Sequence, residues 1–356
     1  MLSRWPAWVG YAASAWSLLY AALGLFWTFG GAGFPFGAGH DPEPLESILG
    51  GLPRTTAAPV IAGFGLIGTV VALASTRPGA LRRPGRNAAL RILVLGFAAL
   101  SAVALLVVIP DRRLLMIVAY APILAGMGLW VLLTGSDLPT IANLGLWTLT
   151  HQVGSVLGGL VWAGVAVSFA RRKRAACVRC GRGDQTPAWT TSAAAARWGR
   201  WAVGVAVVVP LVYAATRWAW ALGIRLGISE EFYQQGRANN IWWAGAALAT
   251  LAIGGAVLTL GLAQRWGETY PRLVWFRAGR RVPPALAIVP ASLVSIIVTS
   301  AGLEYLRLMF RPEFQENSWA TMGPELLWPL WGVALAAATL AYHLRRRGAC
   351  ADCGRG

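Results

Sequence analysis

Lysine is almost missing from this chain: Lys173 is the only one among 31 basic residues. Acidic residues number 14 in 356, and all charged residues together make up 13%. Soluble proteins average about 25% charged residues. With 56% apolar residues and a mean hydropathy of +0.56, a water-soluble fold could not cover this apolar surface. Long polar stretches are absent too, so no soluble domain is expected. Catalytic signatures are also lacking: there is no Walker loop, no HExxH and no GxSxG. An enzyme is the less expected reading, with a membrane enzyme or electron carrier using CxxC as an alternative.

What is present is a series of apolar runs of about 20 residues, long enough to cross a bilayer at 1.5 Å per residue. They cover Trp8 to Gly30, Thr56 to Ser75, Ile92 to Ile109, Leu144 to Phe169, Trp201 to Gly223, Ile241 to Ala263, Pro284 to Gly302 and Leu326 to Leu344. The expected fold is all-α, a polytopic transmembrane helix bundle. A net charge of +17 resembles a nucleic-acid footprint, but the basic residues sit in short clusters between apolar runs. That is where positive-inside charge belongs, so no nucleic-acid partner is expected. Basic loops at Arg77 to Arg91 and Arg265 to Arg281 are candidate sites for anionic lipid at the cytoplasmic face.

The chain repeats itself. Aligning Arg4 with Arg197 without gaps matches Arg4, Trp5, Trp8, Tyr20, Ala21, Ala22, Trp27 and Gly30 with Arg197, Trp198, Trp201, Tyr213, Ala214, Ala215, Trp220 and Gly223. Apolar bias alone would not align Arg, Trp, Tyr and Gly together. The halves also end alike. Arg172, Arg174, Ala176, Cys177, Cys180, Gly181, Arg182 and Gly183 match Arg345, Arg347, Ala349, Cys350, Cys353, Gly354, Arg355 and Gly356. The reading is two tandem four-helix repeats, 1–183 and 197–356, joined by a linker over 184–196. The first apolar run has an internal copy, so it is expected to be a retained span and not a cleaved signal peptide.

With four spans per repeat and both termini inside, 23 of the 31 Lys and Arg fall on the inner side and 8 on the outer. This basic asymmetry is what orients helices, and it places both termini in the cytoplasm of a bacterial cell membrane. One segment complicates the count of eight. Leu114 to Thr134 is long and apolar enough to span. It is read as a re-entrant or interfacial element. The alternative is a ninth span, which would invert the halves as in inverted-repeat transporters.

The strongest motif is a pair of CxxC-Gly sequences, Cys177-Val-Arg-Cys180-Gly and Cys350-Ala-Asp-Cys353-Gly, which hold all four cysteines. Two thiolates three apart on a tight turn grip one tetrahedral zinc, and two such knuckles make a closed, structural four-cysteine site. Nearby arginines would lower the thiol pKa. The 169 residues between the pairs exceed any zinc-ribbon spacing. Redox-active dithiols and an unliganded remnant of the duplication are the alternatives, and a reducing cytoplasm disfavours structural disulfides.

Other residues draw notice because ionisable groups near a membrane are costly. Arg217, Glu230 and Glu304 are candidates for an outer vestibule in the second repeat, although Arg217 would also suit snorkelling to headgroups. His40, Asp41, Glu43 and Glu46 form an outer loop read as solvated, with metal binding the minority alternative. His151 and Gln152 are read as an interhelical hydrogen-bonding pair. Gly154 and Gly158 form a GxxxG packing face on the same helix. Trp5, Trp8, Trp198, Trp201 and Trp328 are read as an aromatic belt.

The blocks YAALGLFWTFGGAGFPFG, YAATRWAWALGIRLGIS and RRRGACADCGR resemble membrane proteins of Streptomyces-type actinobacteria that carry no assigned activity. The resemblance implies membrane location and duplication, and no substrate. Three function classes follow. A transporter or permease-like protein for a small solute or lipid comes first. A membrane sensor or scaffold with a zinc-clasped cytoplasmic face is second, and a CxxC-based membrane redox protein third.

Overall fold

The computed structural model describes residues 5–37, 39–41, 43–44, 46–76, 88–135, 145–184, 187–310 and 319–355. Most of the basic loop expected after Arg77, residues 77–87, lies outside this set. Among the described residues eleven helices follow one another: α1 Trp5–Thr28, α2 Arg54–Thr76, α3 Ala88–Val103, α4 Arg112–Thr134, α5 Leu146–Lys173, α6 Ser192–Ala221, α7 Glu230–Ala238, α8 Ile241–Leu260, α9 Ala285–Leu308, α10 Trp319–Met322 and α11 Trp328–Arg346. Among the described residues there is no strand, only an isolated bridge between Thr269 and Arg281. Among the described residues eight helical segments stand out as long and apolar enough to cross a membrane: those of α1, α2, α3, α5, α6, α8 and α9, and the stretch Trp319–Arg346 that contains α11.

These helices are apolar on nearly every face. Leu100, Leu258, Val70 and Trp201 stand 72, 70, 68 and 81% exposed. Water would not tolerate so continuous an apolar coat, whereas lipid tails would. The chain is therefore a multi-pass membrane protein. Inside it, small residues set the packing distance, as expected where lipid removes the hydrophobic drive between helices. In the first compact unit a Cβ on Gly65 of α2 would lie 2.5 Å from Ala21 N and 2.6 Å from Ser17 O of α1. Gly63, Gly65 and Gly68 have the spacing of a nucleotide-binding loop, but they sit mid-helix, where Gly65 and Gly68 admit α1.

Two compact units divide the chain. One comprises 1–111, 141–186 and 348–356, the other 112–140 and 187–347. In the first unit α1 packs on α2 and α5, and α5 packs on α3. In the second, α6 packs on α8 and α11, and α11 packs on α9. The order of neighbours is thus the same in both. Local geometry matches as well. Gly30 and Gly223 both take left-handed backbone, at φ 96° and 93°. Each closes its helix with the same pair of hydrogen bonds, Gly30 N to Trp27 O and Gly31 N to Phe26 O in α1, Gly223 N to Trp220 O and Ile224 N to Ala219 O in α6. Those paired bonds make the glycine-terminated helix end that Gly permits and other residues resist. Trp27 and Trp220, at matching positions, are both buried.

The ambiguous segment is one uninterrupted helix, α4, with no reversal of the kind a re-entrant hairpin requires. It packs on α9 and α8 within the second unit. Its first turn is tied to α9 by Glu304, whose Oε2 accepts the Arg112 backbone N–H at 2.7 Å. A carboxylate there satisfies a helix N-terminal donor and complements the helix dipole.

Candidate metal centre

α5 ends at Lys173, and Ala175 turns the backbone left-handed at φ 52°. The chain then forms a knuckle. Cys177 N donates to Arg182 O at 2.9 Å and Gly181 N donates to Cys177 O at 2.7 Å. After α11 the same pattern recurs: Cys350 N to Arg355 O at 3.0 Å and Gly354 N to Cys350 O at 2.8 Å. Gly181 and Gly354 sit at φ 76° and 69°, backbone that a Cβ would strain. The glycine after each second cysteine is therefore what allows the turn.

The knuckles meet face to face. Cys177 Sγ lies 3.9 Å from Cys350 Sγ, and Cys180 Sγ lies 3.6 Å from Cys353 Sγ. All four sulfurs fall within 4.8 Å of one another. A tetrahedral zinc with Zn–S bonds near 2.3 Å has S···S edges of about 3.8 Å. A disulfide would need about 2.05 Å, and all four thiols are free. Four of the contacts join a residue to its own counterpart in the matching sequence: Cys177 with Cys350, Arg179 with Asp352 at 2.6 Å, Cys180 with Cys353, and Arg182 with the Arg355 carbonyl at 2.5 Å. That reciprocity is the signature of a local two-fold axis through the cluster.

Arginines brace the site from behind. Arg171 donates to Val178 O at 2.9 Å and Arg179 O at 2.7 Å, fixing the first knuckle to α5. Buried Arg182 also reaches Gly348 O at 2.9 Å, and Arg355 pairs with Asp184 at 2.7 Å. The thiols are not equivalent. A backbone N–H of Cys180 stabilises the Cys177 thiolate and draws that group down to about 7 despite some desolvation. Backbone N–H groups of Asp352 and Cys353 lower Cys350 likewise. Cys353 is pushed up to about 11: the Arg355 amide works against the rise, but desolvation and the three neighbouring thiols outweigh it. The lowering comes first from backbone donors, where the sequence had suggested arginine charge.

The other candidates are dispersed. Arg217 does not snorkel. Its guanidinium is buried, donates to Ala320 O and Thr321 O at 3.0 and 3.1 Å, lies over the rings of Tyr213 and Trp220, and pairs with Glu325. Glu230 pairs instead with Arg225 at 3.2 Å on the exposed face of α7, and Glu304 serves Arg112. The three expected vestibule residues thus each have a different partner. Asp41 and Glu46 are buried, not solvated, with Asp41 Oδ1 accepting the Glu43 N–H at 3.1 Å. Gly154 and Gly158 take the rings of α1: Trp16 Nε1 donates to Gly154 O at 2.9 Å, and a side chain at Gly158 would collide with the Trp16 indole. Trp201 is 81% exposed as a belt residue would be, whereas Trp328 is buried against Tyr213 and Tyr305.

Gln152 donates to buried Asp111, and His151 Nδ1 lies 3.3 Å from Tyr20 Oη inside a ring of Tyr20, Trp27, Phe36 and Trp147. Asp111 and Glu325 were not singled out from the sequence. Each is a lone carboxylate directly after a proline at the edge of an apolar run, Pro110-Asp111 and Pro324-Glu325, and that was the available signal. Asp111 also follows a π-helical turn, Ala104–Val108, a feature common near special sites.

Fold and site together define a multi-pass helical membrane protein with a four-thiol cluster built from two matching knuckles. Compared with protein-family models, curated proteins and solved structures, the chain finds no match.

Proposed function

We propose that the chain is a membrane-embedded sensor or scaffold whose two CxxC knuckles clasp one structural zinc ion. The observation that carries this reading is the gathering of four sulfurs within 4.8 Å, two of their separations, 3.9 and 3.6 Å, close to the edge of a tetrahedral zinc–thiolate site. The metal ties the segment after α11 to the segment after α5 and fixes both in one shape for a partner to read. Four thiolates leave no open coordination position, so the zinc is structural and not catalytic. The basic bias of the segments on this side supports a cytoplasmic clasp.

Metal content of detergent-purified protein tests the reading, with thiol titration before and after denaturation. One zinc per chain and four thiols shielded until the metal is extracted are expected. Zinc-free protein whose thiols oxidise and reduce reversibly in pairs would replace the clasp with the redox reading. A permease remains the second reading. It is favoured by the ionisable groups sunk among the spans, Arg217 with Glu325 and Asp111 with Gln152, because such groups mark substrate pathways in many membrane proteins. A solute that stabilises wild-type protein but not Glu325→Gln would support it.

A further inference from the structure

Between α8 and α9 the chain builds a second device, unrelated to the thiols. Residues 268–282 fold into a hairpin closed by Val282 N to Glu268 O, Tyr270 N to Arg280 O and Gly279 N to Tyr270 O, each 2.9–3.0 Å. α11 holds its base: Tyr342 donates to Gly267 O at 2.7 Å, Arg345 pairs with Glu268 at 2.8 Å, and Arg346 donates to Val282 O at 2.6 Å. The tip points its apolar side chains outward, with Leu273 90%, Trp275 83% and Phe276 62% exposed. Two helix ends anchor the hairpin at the level where the spans leave the membrane. Exposed Trp and Phe beside Arg suit that interface.

Beneath the hairpin lies a cavity of about 440 Å³, within the range of small-ligand sites. Its walls are almost wholly apolar, among them Leu258, Trp266, Val274, Leu286, Val294 and Trp331. From Leu286 to Val294 it descends about 12 Å along α9, most of one leaflet of a ~30 Å hydrocarbon core. Arginines adjoin its lining residues along the chain: Arg265 precedes Trp266, Arg272 follows Pro271 and Arg281 precedes Val282. Arg265, Arg272, Arg277, Arg280 and Arg281 are all exposed. The only acid from 261 to 303 is Glu268, already engaged by Arg345. Any apolar groove on a membrane protein fills with lipid tail. The arginines add a preference for the headgroup.

We propose that the hairpin and its cavity bind one anionic glycerophospholipid, an acyl chain in the cavity and the phosphate among Arg272, Arg280 and Arg281. Charge complementarity selects this occupant over a zwitterionic lipid, and the apolar cavity selects a lipid over a free anion. The site shares no residue with the thiol cluster, so either proposal fails without the other.

Native mass spectrometry of the detergent-solubilised protein tests it, with phosphatidylglycerol and phosphatidylcholine of identical chains. Wild-type protein is expected to favour phosphatidylglycerol by about a hundredfold, the order set by three arginines near a membrane surface. The triple variant R272Q/R280Q/R281Q should bring the two lipids to parity while still binding phosphatidylcholine, which shows that it is folded. Gly255→Leu, which fills the cavity from a position with open space around it, should lose both lipids. Equal binding by wild type, an undiminished preference in the triple variant, unaltered binding by Gly255→Leu, or displacement of the lipid by free glycerol phosphate would each overturn the proposal.

Discussion

If the proposed zinc clasp holds, extracting the metal should release residues 348–355 and leave the helix bundle intact. Ordering a backbone costs about 1–2 kcal/mol per residue, roughly 8–16 kcal/mol for these eight residues. Protein contacts do not match this. The pairs Arg179–Asp352 and Arg355–Asp184 are solvent-exposed, and water screens such pairs until they contribute little. The two hydrogen bonds from Arg182 to Gly348 O and Arg355 O contribute about 1.5–3 kcal/mol each. The polypeptide alone therefore falls short, while zinc in comparable small sites contributes ~10–16 kcal/mol. The assay is amide hydrogen exchange with and without a chelator. The N–H groups of Cys350 and Gly354, bonded in the knuckle, should be protected with zinc and exchange freely without it. Amides of α1 to α11 should not change. Equal protection of Cys350 and Gly354 in verified metal-free protein would refute the reasoning, because contacts judged insufficient would be holding the segment.

Further expectations concern the knuckles and the buried polar pairs. Gly181→Ala or Gly354→Ala forces a side chain into left-handed backbone and should cost about 1–2 kcal/mol of zinc-dependent stability, roughly a five- to thirtyfold weaker metal competition constant. Arg217→Met leaves the buried Glu325 carboxylate without its cation and should lower stability in detergent by roughly 3–5 kcal/mol. The double change Arg217→Met with Glu325→Leu should recover most of that loss in the same thermal assay, and a double variant no better than the single one would count against the pairing. Gln152→Leu withdraws a donor from buried Asp111 and should cost about 1–3 kcal/mol of thermal stability, with helix content unchanged.

Much of this architecture was legible because the bilayer simplifies the code. A span must satisfy its own backbone bonds, so length and apolarity alone located eight helices, although α6 begins nine residues before its apolar run and α9 ends six residues beyond its own. Matching residues such as Trp27 and Trp220, or Gly30 and Gly223, announced matching geometry, since a left-handed helix end favours Gly wherever it occurs. Partner choice was not legible. Arg217, Glu230 and Glu304 looked like one group because they share a side of the membrane in the sequence pattern, yet each found a nearer opposite charge. Linear spacing does not encode which carboxylate faces which guanidinium across three or four helices. Glu325 and Asp111 were hidden for the same reason. The fate of α4 was equally undetermined, because hydropathy sets how long a helix is but not which neighbour it packs on.

In the thiol cluster two matching sequences meet, and their charges differ at the position between each pair of cysteines. At a two-fold axis a residue lying on the axis faces its own twin. Identical knuckles would set Arg against Arg, or Asp against Asp, at the position between each pair of cysteines, and like charges at that range repel. Here that position is Arg179 in one knuckle and Asp352 in the other, and the twins form an ion pair at 2.6 Å. Where the twins are alike, Arg182 and Arg355, the conflict is avoided by direction. Arg182 points its guanidinium at backbone carbonyls of the opposite knuckle, and Arg355 directs its charge to Asp184. A reversal at one position, Arg179→Asp, should therefore weaken the clasp. Adding Asp352→Arg to it should restore the pair with its sign exchanged. If the double exchange bound zinc no better than Arg179→Asp alone, the axis through the cluster would not be organising these charges.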